Sequence, residues 1–375
     1  MGDSRPFCIS SPLHLCINGR FLGRPVTGVE RFARETLSAI HAELIANPLL
    51  SEKLRITILT PATTVQPDDW PQFGFKRLGR FNGHAWEQYD LPRHVPSDAI
   101  LVNLCNTAPL FFKRQIAVLH DAATVAAPDG YSLAFRTWYR LMMATIMRRA
   151  AAVATVSRFS QTELNRFFGP TKRPITVLPE GVDHIRRTKP TQNVRAKYGL
   201  QSRPFVLAVS SLQANKNFSL LVEAVNRLDQ PAFDVAIAGG SGHKSFASSG
   251  VSAPPFVKQL GFVPDEDLAA LYCEADCFVF PSRYEGFGLP PVEAMALGCP
   301  LLSSDAASLP EVCGDAALYF SPDDAVQLER LLIQVMGDPQ MRDIMRVKGL
   351  DRVKTMTWRQ TALDLVELAG KLTVN

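Results

Sequence analysis

The sequence has no long hydrophobic run and lacks the motifs of several common enzyme classes. None of its apolar stretches approaches the roughly 20 residues of a membrane-spanning helix, and its first residues, Met-Gly-Asp-Ser-Arg-Pro, have no apolar signal-peptide core. There is no Gly-x-x-x-x-Gly-Lys-Ser/Thr phosphate loop, and no Gly-x-Gly-x-x-Gly follows the first predicted strand. These absences argue against a membrane-spanning protein, a P-loop NTPase and a nicotinamide-dependent dehydrogenase.

Cysteine and metal-ligand patterns are also sparse. The seven cysteines are odd in number and scattered, and Cys273 and Cys277 have no second pair that would complete a zinc site. We therefore predict reduced, buried thiols in a cytosolic protein. Asp265-Glu-Asp267 has the spacing of metal-dependent transferases, but it precedes Leu-Ala-Ala-Leu-Tyr, where acidic residues favour a helix start. We expect no metal site.

Length and charge indicate a soluble enzyme with two dissimilar halves. The 375 residues exceed what one hydrophobic core usually serves, so two domains are expected. Residues 1–175 contain 21 Lys and Arg against 13 Asp and Glu, a net charge of +8, and the remainder has a net charge of −4. This asymmetry argues against a nucleic-acid partner and allows the first half to face an anionic partner such as a membrane surface or a phosphate-linked acceptor.

Short β-prone segments alternate with helical segments, which is typical of parallel sheets covered by helices. The predicted strands are residues 14–18, 55–59, 99–104, 115–119, 151–156, 175–178, 205–209, 234–238, 257–262 and 277–280. The predicted helices are residues 29–46, 219–228, 265–273, 290–297 and 358–372. The polar segment 183–201 is predicted to link the halves. Two doubly wound domains would direct their strand ends towards a shared cleft, where we expect the active site.

The segment from Ser282 to Ala296 carries the strongest functional signal. It joins a predicted strand to a predicted helix, and Gly286 and Gly288 let backbone N–H groups approach a ligand at the helix start. Glu285 and Glu293 bracket this turn with seven residues between them. A helical carboxylate can accept two hydrogen bonds from a ribose diol, while the N–H groups hold diphosphate or sugar oxygens. That combination suits a nucleotide-sugar.

This segment resembles the Glu-x7-Glu signature of retaining GT-B glycosyltransferases, in particular family 4. Seven further segments resemble the family in the expected order: residues 27–34, 106–109, 118–121, 154–160, 177–183, 260–268 and 303–311. The resemblance implies an α/β GT-B fold of two doubly wound Rossmann-like domains. Residues 1–183 would form the acceptor-side domain, residues 184–356 the donor domain, and residues 357–375 a helix that crosses back to the first domain.

The resemblance also implies roles for individual side chains. Glu293 would bind the ribose, and Glu285 would stabilise positive charge at the anomeric carbon. Lys216 would neutralise the phosphates in place of a metal. His120 would contact the transferred sugar, and Asp121 would shape the acceptor pocket.

Other donor contacts would come from backbone groups and small residues. The implied residues are Gly28, Ser211, Phe262, Val263, Gly286, Phe287, Gly288 and Leu289. The glycine-rich segment 239–243, which follows another predicted strand, would also line the donor pocket. Ser211 occupies the position, five residues before Lys216, where the family commonly has Arg. This departure leaves open how the diphosphate is bound.

The implied activity is the retaining transfer of a hexose from a nucleotide diphosphate-sugar to a saccharide hydroxyl, without a cofactor. GDP-mannose is favoured over UDP- and dTDP-sugars as donor, and a lipid-linked oligosaccharide of bacterial polysaccharide assembly is the expected acceptor. We expect a cytoplasmic protein, peripheral on the inner face of the membrane. The basic amphipathic helix at residues 135–149 could touch the bilayer, although packing on the first domain is favoured.

Two alternatives remain open from the sequence. A nucleotide-sugar 2-epimerase shares the GT-B architecture and would form an epimer from the donor without an acceptor. A catalytically silent partner would bind the sugar-nucleotide without transferring the sugar, and the missing Arg at position 211 keeps this alternative open.

Overall fold

The chain divides into two compact units, each an α/β domain. The computed structural model describes residue 9 and residues 11–128, 132–209, 213–228, 230–239 and 254–373. The first unit comprises residues 1–181 and 357–375, and the second comprises residues 182–356. The boundaries predicted from the sequence fall after residues 183 and 356.

The first unit contains a seven-stranded, fully parallel sheet. Its strands are β1 (Leu13–Asn18), β2 (Leu54–Pro61), β3 (Gly74–Leu78), β4 (Ile100–Asn103), β5 (Gln115–Val118), β6 (Ala152–Thr155) and β7 (Thr176–Val177). The strand order is β3-β2-β1-β4-β5-β6-β7, and in register Cys16 of β1 lies between Thr57 of β2 and Leu101 of β4. The order reverses between β1 and β4, which is the doubly wound pattern.

Helices cover both faces of this first sheet. They are α1 (Gly28–Ala46), α2 (Pro48–Lys53), α3 (Gly83–Ala85), α4 (Leu91–His94), α5 (Ala123–Ala126), α6 (Leu133–Arg149) and α7 (Arg158–Phe168). The turn Trp86–Asp90, between α3 and α4, is π-helical, and Gly19–Gly23 forms a 3-10 helix. Thr27 and Glu30 form a capping box at the start of α1, which satisfies backbone donors that a helix start otherwise leaves unpaired.

Helix α6 packs into the first core with one face, as the favoured interpretation predicted. Met142, Met143, Ile146 and Met147 are buried and pack with Ala117 and Leu119 of the β5 region, among other buried residues. The opposite face of the same helix leaves Leu133 and Leu141 exposed.

The second unit contains a six-stranded parallel sheet with the same winding. Its strands are β8 (Phe205–Val209), β9 (Asp234–Ala238), β10 (Val257–Gly261), β11 (Cys277–Phe280), β12 (Leu301–Ser304) and β13 (Ala317–Phe320). The order is β10-β9-β8-β11-β12-β13, so the winding reverses between β8 and β11. The central strands β8 and β11 are short and continuous in apolar residues, as expected where helices cover both faces of a sheet, whereas the edge strand β10 contains Lys258 and Gln259.

Eight helices accompany the second sheet in the described residues. They are α8 (Asp183–Arg187), α9 (Val194–Lys197), α10 (Phe218–Asn226), α11 (Asp265–Glu274), α12 (Leu289–Ala296), α13 (Leu309–Cys313), α14 (Ala325–Gly337) and α15 (Pro339–Arg352). Residues Ala214–Lys216 and Gly314–Ala316 form 3-10 turns. Leu221 and Val225 of α10 pack with Leu328 and Leu332 of α14 in the second core.

The last helix, α16 (Trp358–Gly370), belongs to the first unit. Trp358 is almost fully buried, and its ring meets Phe32 of α1 edge to face at 5.8 Å. Arg359 Nε donates to Glu43 Oε1 of α1 at 2.6 Å. The first unit is therefore built from both ends of the chain.

Two expectations from the sequence are wrong. Segment 183–201, predicted as a linker, lies within the second unit and contains α8 and α9. Cys273, predicted to be buried, is exposed, whereas Cys16, Cys277, Cys299 and Cys313 are buried. Cys8 lies outside the described residues, and Cys105 is half-buried.

Within the part of the chain that the structure describes, no helix has the length and apolar character needed to cross a membrane.

Candidate functional site

Two residues with predicted catalytic roles meet where the second sheet reverses its winding. Lys216 ends the 3-10 turn that follows β8, and Glu285 lies in the loop that follows β11. Lys216 Nζ lies 2.7 Å from Glu285 Oε1. Open parallel sheets bind ligands outside the carboxyl ends of the strands at such a reversal. Because β8 and β11 are neighbours in the sheet but not in the sequence, folding alone creates this pair.

The two loops are joined by further hydrogen bonds. The backbone N–H of Arg283 donates to the Asn215 carbonyl at 2.7 Å, and the Asn215 side chain donates to the Tyr284 carbonyl at 3.3 Å. Ser282 Oγ donates to Glu285 Oε1 at 2.6 Å.

The ion pair remains accessible to a ligand. The side chains of Lys216 and Glu285 are 17% and 12% exposed, respectively. An ammonium group carries three N–H donors. Lys216 can therefore bind a ligand oxygen while it holds Glu285.

The glycine turn after Glu285 leads directly into α12. Gly288 has φ = 102° and is the N-cap residue, a left-handed conformation that favours glycine. Ser308 Oγ donates to the carbonyls of Glu285 at 3.0 Å and Phe287 at 3.1 Å, which holds the turn in place. Pro290 and Pro291 follow and have no N–H, so the amide donors at this helix start come from residues 286–289.

Glu293 has its own set of partners within the second unit. It lies on α12 and is buried. Its Oε1 accepts a hydrogen bond from His184 Nε2 at 2.9 Å, and its Oε2 accepts one from Tyr272 OH at 3.3 Å. These partners differ from those of Glu285, so the two carboxylates form separate subsites. Sequence reasoning missed His184 and Tyr272.

The predicted base-contacting residues follow β10. Phe262 is 83% exposed, Val263 is buried, and Gly261 has φ = 67°. In a parallel sheet, the end of β10 lies at the same edge as the ends of β8 and β11. Ser211 and residues 240–243 lie outside the described residues.

His120 belongs to the first unit and follows β5. Its Nε2 lies 2.8 Å from the Leu104 carbonyl, so that nitrogen carries the proton and donates. Its Nδ1 lies 3.6 Å from Glu180 Oε1, and Phe32 meets the ring edge to face at 4.8 Å. A sugar contact through Nε2 would need the bond to Leu104 to break, which leaves Nδ1 and the backbone as the other contact points.

The remaining predicted residues of the first unit lie near helix starts. Gly28 is exposed and is the first residue of α1. Asp121 Oδ1 accepts the backbone N–H of Ala123 at the start of α5 at 2.9 Å. Asn106 Oδ1 accepts the N–H of His120 at 2.6 Å.

A buried polar cluster lies where the first sheet reverses its winding, and sequence reasoning did not identify it. Asn18 at the end of β1 donates to Glu87 Oε1 at 2.8 Å and to Asn103 Oδ1 of β4 at 2.9 Å. Thr107 Oγ1 donates to the same oxygen of Glu87 at 2.7 Å. Burial alone would raise the pKa of Glu87, but His84, Arg20 and the two hydrogen bonds from Thr107 and Asn18 lower it.

A cavity of about 740 Å³ opens at the opposite, amino-terminal edge of β1, β2 and β3. Its lining includes Glu52, Lys53, Arg55 and Asp98, which carry balanced charges. Ligands of doubly wound sheets bind at the carboxyl edge, so the cavity is not the site described above.

The acidic segment at the start of α11 has a structural partner. Asp267 accepts hydrogen bonds from Lys197 Nζ and, at 2.7 Å, from Tyr198 OH.

Among the described residues, no group of three or more His, Cys, Asp and Glu side chains is arranged to hold a metal ion.

Two family models match successive parts of the chain. Residues 26–186 match the model described as Glycosyltransferase Family 4, and residues 190–352 match Glycosyl transferases group 1.

Three relatives illustrate the similarity in sequence. O-antigen chain mannosyltransferase B of Escherichia coli is 31% identical over 67% of this chain and 68% of its own length. Serotype-specific mannosyltransferase WbdA of the same organism is 28% identical over 66% of this chain, and the match spans only 32% of that longer protein. A GDP-mannose-dependent α-(1-6)-phosphatidylinositol monomannoside mannosyltransferase of Mycolicibacterium smegmatis is 28% identical over 65% of this chain and 69% of its own length.

The fold is similar to that of a solved structure over nearly the whole chain. Sucrose-phosphate synthase from Thermosynechococcus elongatus matches with a TM-score of 0.74 at 20% identity, covering 97% of this chain and 99% of the other. The fold predicted from the sequence is thereby confirmed.

Proposed function

The chain belongs to the family 4 glycosyltransferases of the GT-B fold, and on that basis we propose that it transfers mannose from GDP-mannose to a saccharide hydroxyl. The sugar is proposed because the three relatives described above are all named mannosyltransferases. The donor is proposed from the mycolicibacterial relative, whose name specifies GDP-mannose. The O-antigen relative supports an acceptor of bacterial polysaccharide assembly, for which we propose a lipid-linked oligosaccharide.

The observation that carries this proposal is the Lys216–Glu285 pair beside the glycine turn, at the reversal point of the second sheet. Lys216 and the amides of residues 286–289 would hold the diphosphate and stabilise the charge of the departing phosphate. These groups supply positive charge without a metal, and without the Arg that the family commonly has at position 211. Glu285 would stabilise positive charge at the anomeric carbon.

Further residues of the second unit complete the proposed donor contacts. Glu293 would bind the ribose hydroxyls, and Phe262 and Val263 would contact the base.

We propose that the reaction retains the configuration at the anomeric carbon. The bond between that carbon and the phosphate oxygen breaks, and GDP leaves with the bonding electron pair. The acceptor oxygen forms the new bond on the same face of the sugar, and its proton passes to the departing phosphate. This route needs no covalent intermediate on the enzyme.

The first test is donor selection and product analysis. Thermal-shift and calorimetric titrations with GDP-mannose, UDP-glucose and dTDP-glucose should give the largest response for GDP-mannose. Incubation with GDP-mannose and a mannose-terminated oligosaccharide should give a product with the donor's anomeric configuration by NMR. An epimer formed from the donor alone would contradict transferase chemistry, and binding without transfer to any acceptor would favour a silent partner.

The second test uses variants of the two subsites. Lys216→Ala should lower kcat by about 10²- to 10³-fold, as loss of a charge-stabilising donor does in other active sites. Glu293→Ala should weaken GDP-mannose binding by about tenfold or more, because a hydrogen bond to a charged group contributes about 1.5–3 kcal/mol. Lys348→Ala is the matched control, since Lys348 pairs with Asp315 in the same unit at 3.2 Å. If both site variants bind GDP-mannose and turn over at the wild-type level, the proposed roles of Lys216 and Glu293 are refuted.

We also propose that the first unit contacts an anionic membrane surface through the outer face of α6. Leu133 and Leu141 are 76% and 61% exposed, and Trp138 is also exposed on this face. Arg140 and Arg148 of the same helix are exposed as well. Apolar side chains with flanking arginines suit the interface of an anionic bilayer. The net charge of +8 on residues 1–175 supports the same partner.

Vesicle sedimentation tests this contact. The protein should pellet with phosphatidylglycerol-containing vesicles but not with pure phosphatidylcholine vesicles, and salt should weaken binding. The double variant Trp138→Ser/Leu141→Ser should lose most of the bound fraction. Ile344→Ser/Val347→Ser is the control, because both residues are exposed on α15 of the second unit. Equal loss in the control, or no pelleting of the wild-type protein, would contradict the proposal.

A further inference from the structure

Glu293 is held by two buried side chains that come from different parts of the second unit. His184 lies on α8, 109 positions before Glu293, and its Nε2 is 2.9 Å from Oε1. Tyr272 lies on α11, 21 positions before Glu293, and its hydroxyl is 3.3 Å from Oε2. All three side chains are buried. We infer that His184 and Tyr272 are positioning residues that hold the Glu293 carboxylate in the orientation that binds the ribose diol of the donor, an inference that rests on the proposed function.

The hydrogen-bond capacity of the carboxylate permits this role. An ionised carboxylate accepts at about four lone-pair sites, two on each oxygen. His184 uses one site on Oε1, and Tyr272 uses one on Oε2. One site on each oxygen remains, which matches the two adjacent hydroxyl donors of a ribose.

The elements that carry the two positioning residues are themselves held in place. The Tyr272 ring is fully buried and meets Phe278 of β11 edge to face at 5.3 Å. Thr188, the residue directly after α8, donates through Oγ1 to the backbone carbonyl of His184 at 3.2 Å. Arg186 of α8 also reaches the Ala296 carbonyl at the end of α12 at 3.5 Å. Helix α8 is therefore attached to the helix that carries Glu293.

A carboxylate held in one rotamer binds better than one that must be ordered by its ligand. Ordering a flexible side chain costs affinity, and fixing it in advance removes that cost. The donated hydrogen bonds also stabilise the negative charge of Glu293 in a site from which water is largely excluded. Loss of either donor should weaken the contact with ribose and leave contacts with base and diphosphate unchanged.

A comparison of two nucleotides isolates the ribose contact. GDP and 2′,3′-dideoxy-GDP should be titrated by calorimetry into the full-length wild-type protein and into His184→Leu, His184→Gln and Tyr272→Phe. Gln retains an N–H donor near the position of Nε2, whereas Leu fills space without one. Tyr319→Phe is the control, because the Tyr319 hydroxyl donates to the Gly314 carbonyl at 2.6 Å in the same unit.

We expect His184→Leu to weaken GDP binding about tenfold and 2′,3′-dideoxy-GDP binding less than about twofold. Tyr272→Phe should show the same selectivity with a smaller loss, and His184→Gln should recover most of the affinity for GDP. In steady-state assays, His184→Leu should raise the donor KM with little change in kcat. This is the result expected when the lost contact binds the donor equally well in the ground state and in the transition state.

The outcomes separate this inference from the proposed function. Equal losses for GDP and the dideoxy nucleotide in His184→Leu, or unchanged GDP affinity in all three variants, would overturn the inference while leaving the donor assignment intact. Wild-type protein that binds neither nucleotide would overturn the proposed GDP donor as well. If His184→Leu does not fold by circular dichroism, Tyr272→Phe and His184→Gln decide the question, because both retain the size of the original side chain.

Discussion

Asp267 shows how a single buried carboxylate can hold two helices of the second unit together. It lies in the first turn of α11, and its partners Lys197 and Tyr198 lie in and directly after α9. Burial alone would raise the pKa of Asp267, but hydrogen bonds from Lys197, Thr191 and Tyr198 lower it to about 2. The charged form is therefore the one that the folded protein stabilises.

We predict that Asp267→Asn lowers the free energy of unfolding by an amount that depends on pH. At pH 7 the variant should be less stable by about 2 kcal/mol, because a hydrogen-bonded charged group is lost. Because the pKa of Asp267 is lower in the folded protein than in the unfolded chain, its charge stabilises the fold when the pH is above the unfolded-state pKa. This contribution disappears as the pH falls through the folded-state pKa. The difference between wild type and variant should therefore be constant above about pH 5 and shrink from pH 4 towards pH 2. Urea unfolding at several pH values measures this stability difference. A difference that does not change with pH would contradict the assignment of the lost stability to the charge of Asp267.

The docking of α16 shows how one glycine can decide whether two elements fit together. Gly181 ends the first segment of the first unit, and a Cβ atom built there would lie 2.1 Å from the backbone N of Trp358 and 2.5 Å from the carbonyl carbon of Thr357. Both contacts involve backbone atoms, which a change of rotamer cannot relieve. Glycine is required at this position because of close backbone approach.

We predict that Gly181→Ala will displace the start of α16 and destabilise the first unit. Overpacking of this kind costs about 1–3 kcal/mol, which corresponds to a fall in Tm of about 2–4 °C per kcal/mol for a unit of this size. Gly370→Ala is the control, because a Cβ at position 370 meets nothing within 4 Å. Differential scanning calorimetry of both variants makes the test, and equal Tm values for the two would contradict it.

At the scale of the whole molecule, the first unit depends on both ends of the chain, whereas the second is built from one continuous segment. In the first unit, α16 contributes the buried Trp358, the bond from Arg359 to Glu43, and a hydrogen bond from Thr361 Oγ1 to the Pro179 carbonyl. The stability of the two units should therefore respond differently to changes at the carboxyl terminus.

We predict that ending the chain after Met356 will selectively destabilise the first unit. Loss of a buried tryptophan alone typically costs about 3–5 kcal/mol. Hydrogen exchange followed by mass spectrometry should show faster exchange in α1 and β1–β5, with β8–β13 unchanged. A chain ending after Lys371, which retains α16, is the control. Equal loss of protection in both sheets would contradict this view of the architecture.

Much of the fold follows from the sequence because its local signals are strong. The strands predicted at residues 205–209, 234–238 and 277–280 coincide with β8, β9 and β11. Each is a short apolar run bounded by turn or polar residues, which is the pattern of a strand buried on both faces. β3 was missed because it is largely exposed and shows no clear alternation of apolar and polar residues.

Only part of the candidate site could be predicted, because a local pattern reveals only residues that lie close together in the sequence. The glycine turn, Glu285 and the helix that carries Glu293 are contiguous in the sequence, so their spacing reveals them. His184 lies in a five-residue helix that is too short to show periodicity, within a segment whose polar composition predicted a linker. Its partner lies 109 positions away, and no local pattern links the two.

The sequence by itself determined the two parallel-sheet domains, the family and the turn between β11 and α12, because each depends on residues close together in the chain. The tertiary structure alone decided that Lys216 pairs with Glu285 and that His184 and Tyr272 hold Glu293. Those contacts depend on which strands lie side by side and which helices pack together. The order β8–β11 and the attachment of α8 to α12 are set by the packing of the whole sheet, which no local stretch of sequence contains.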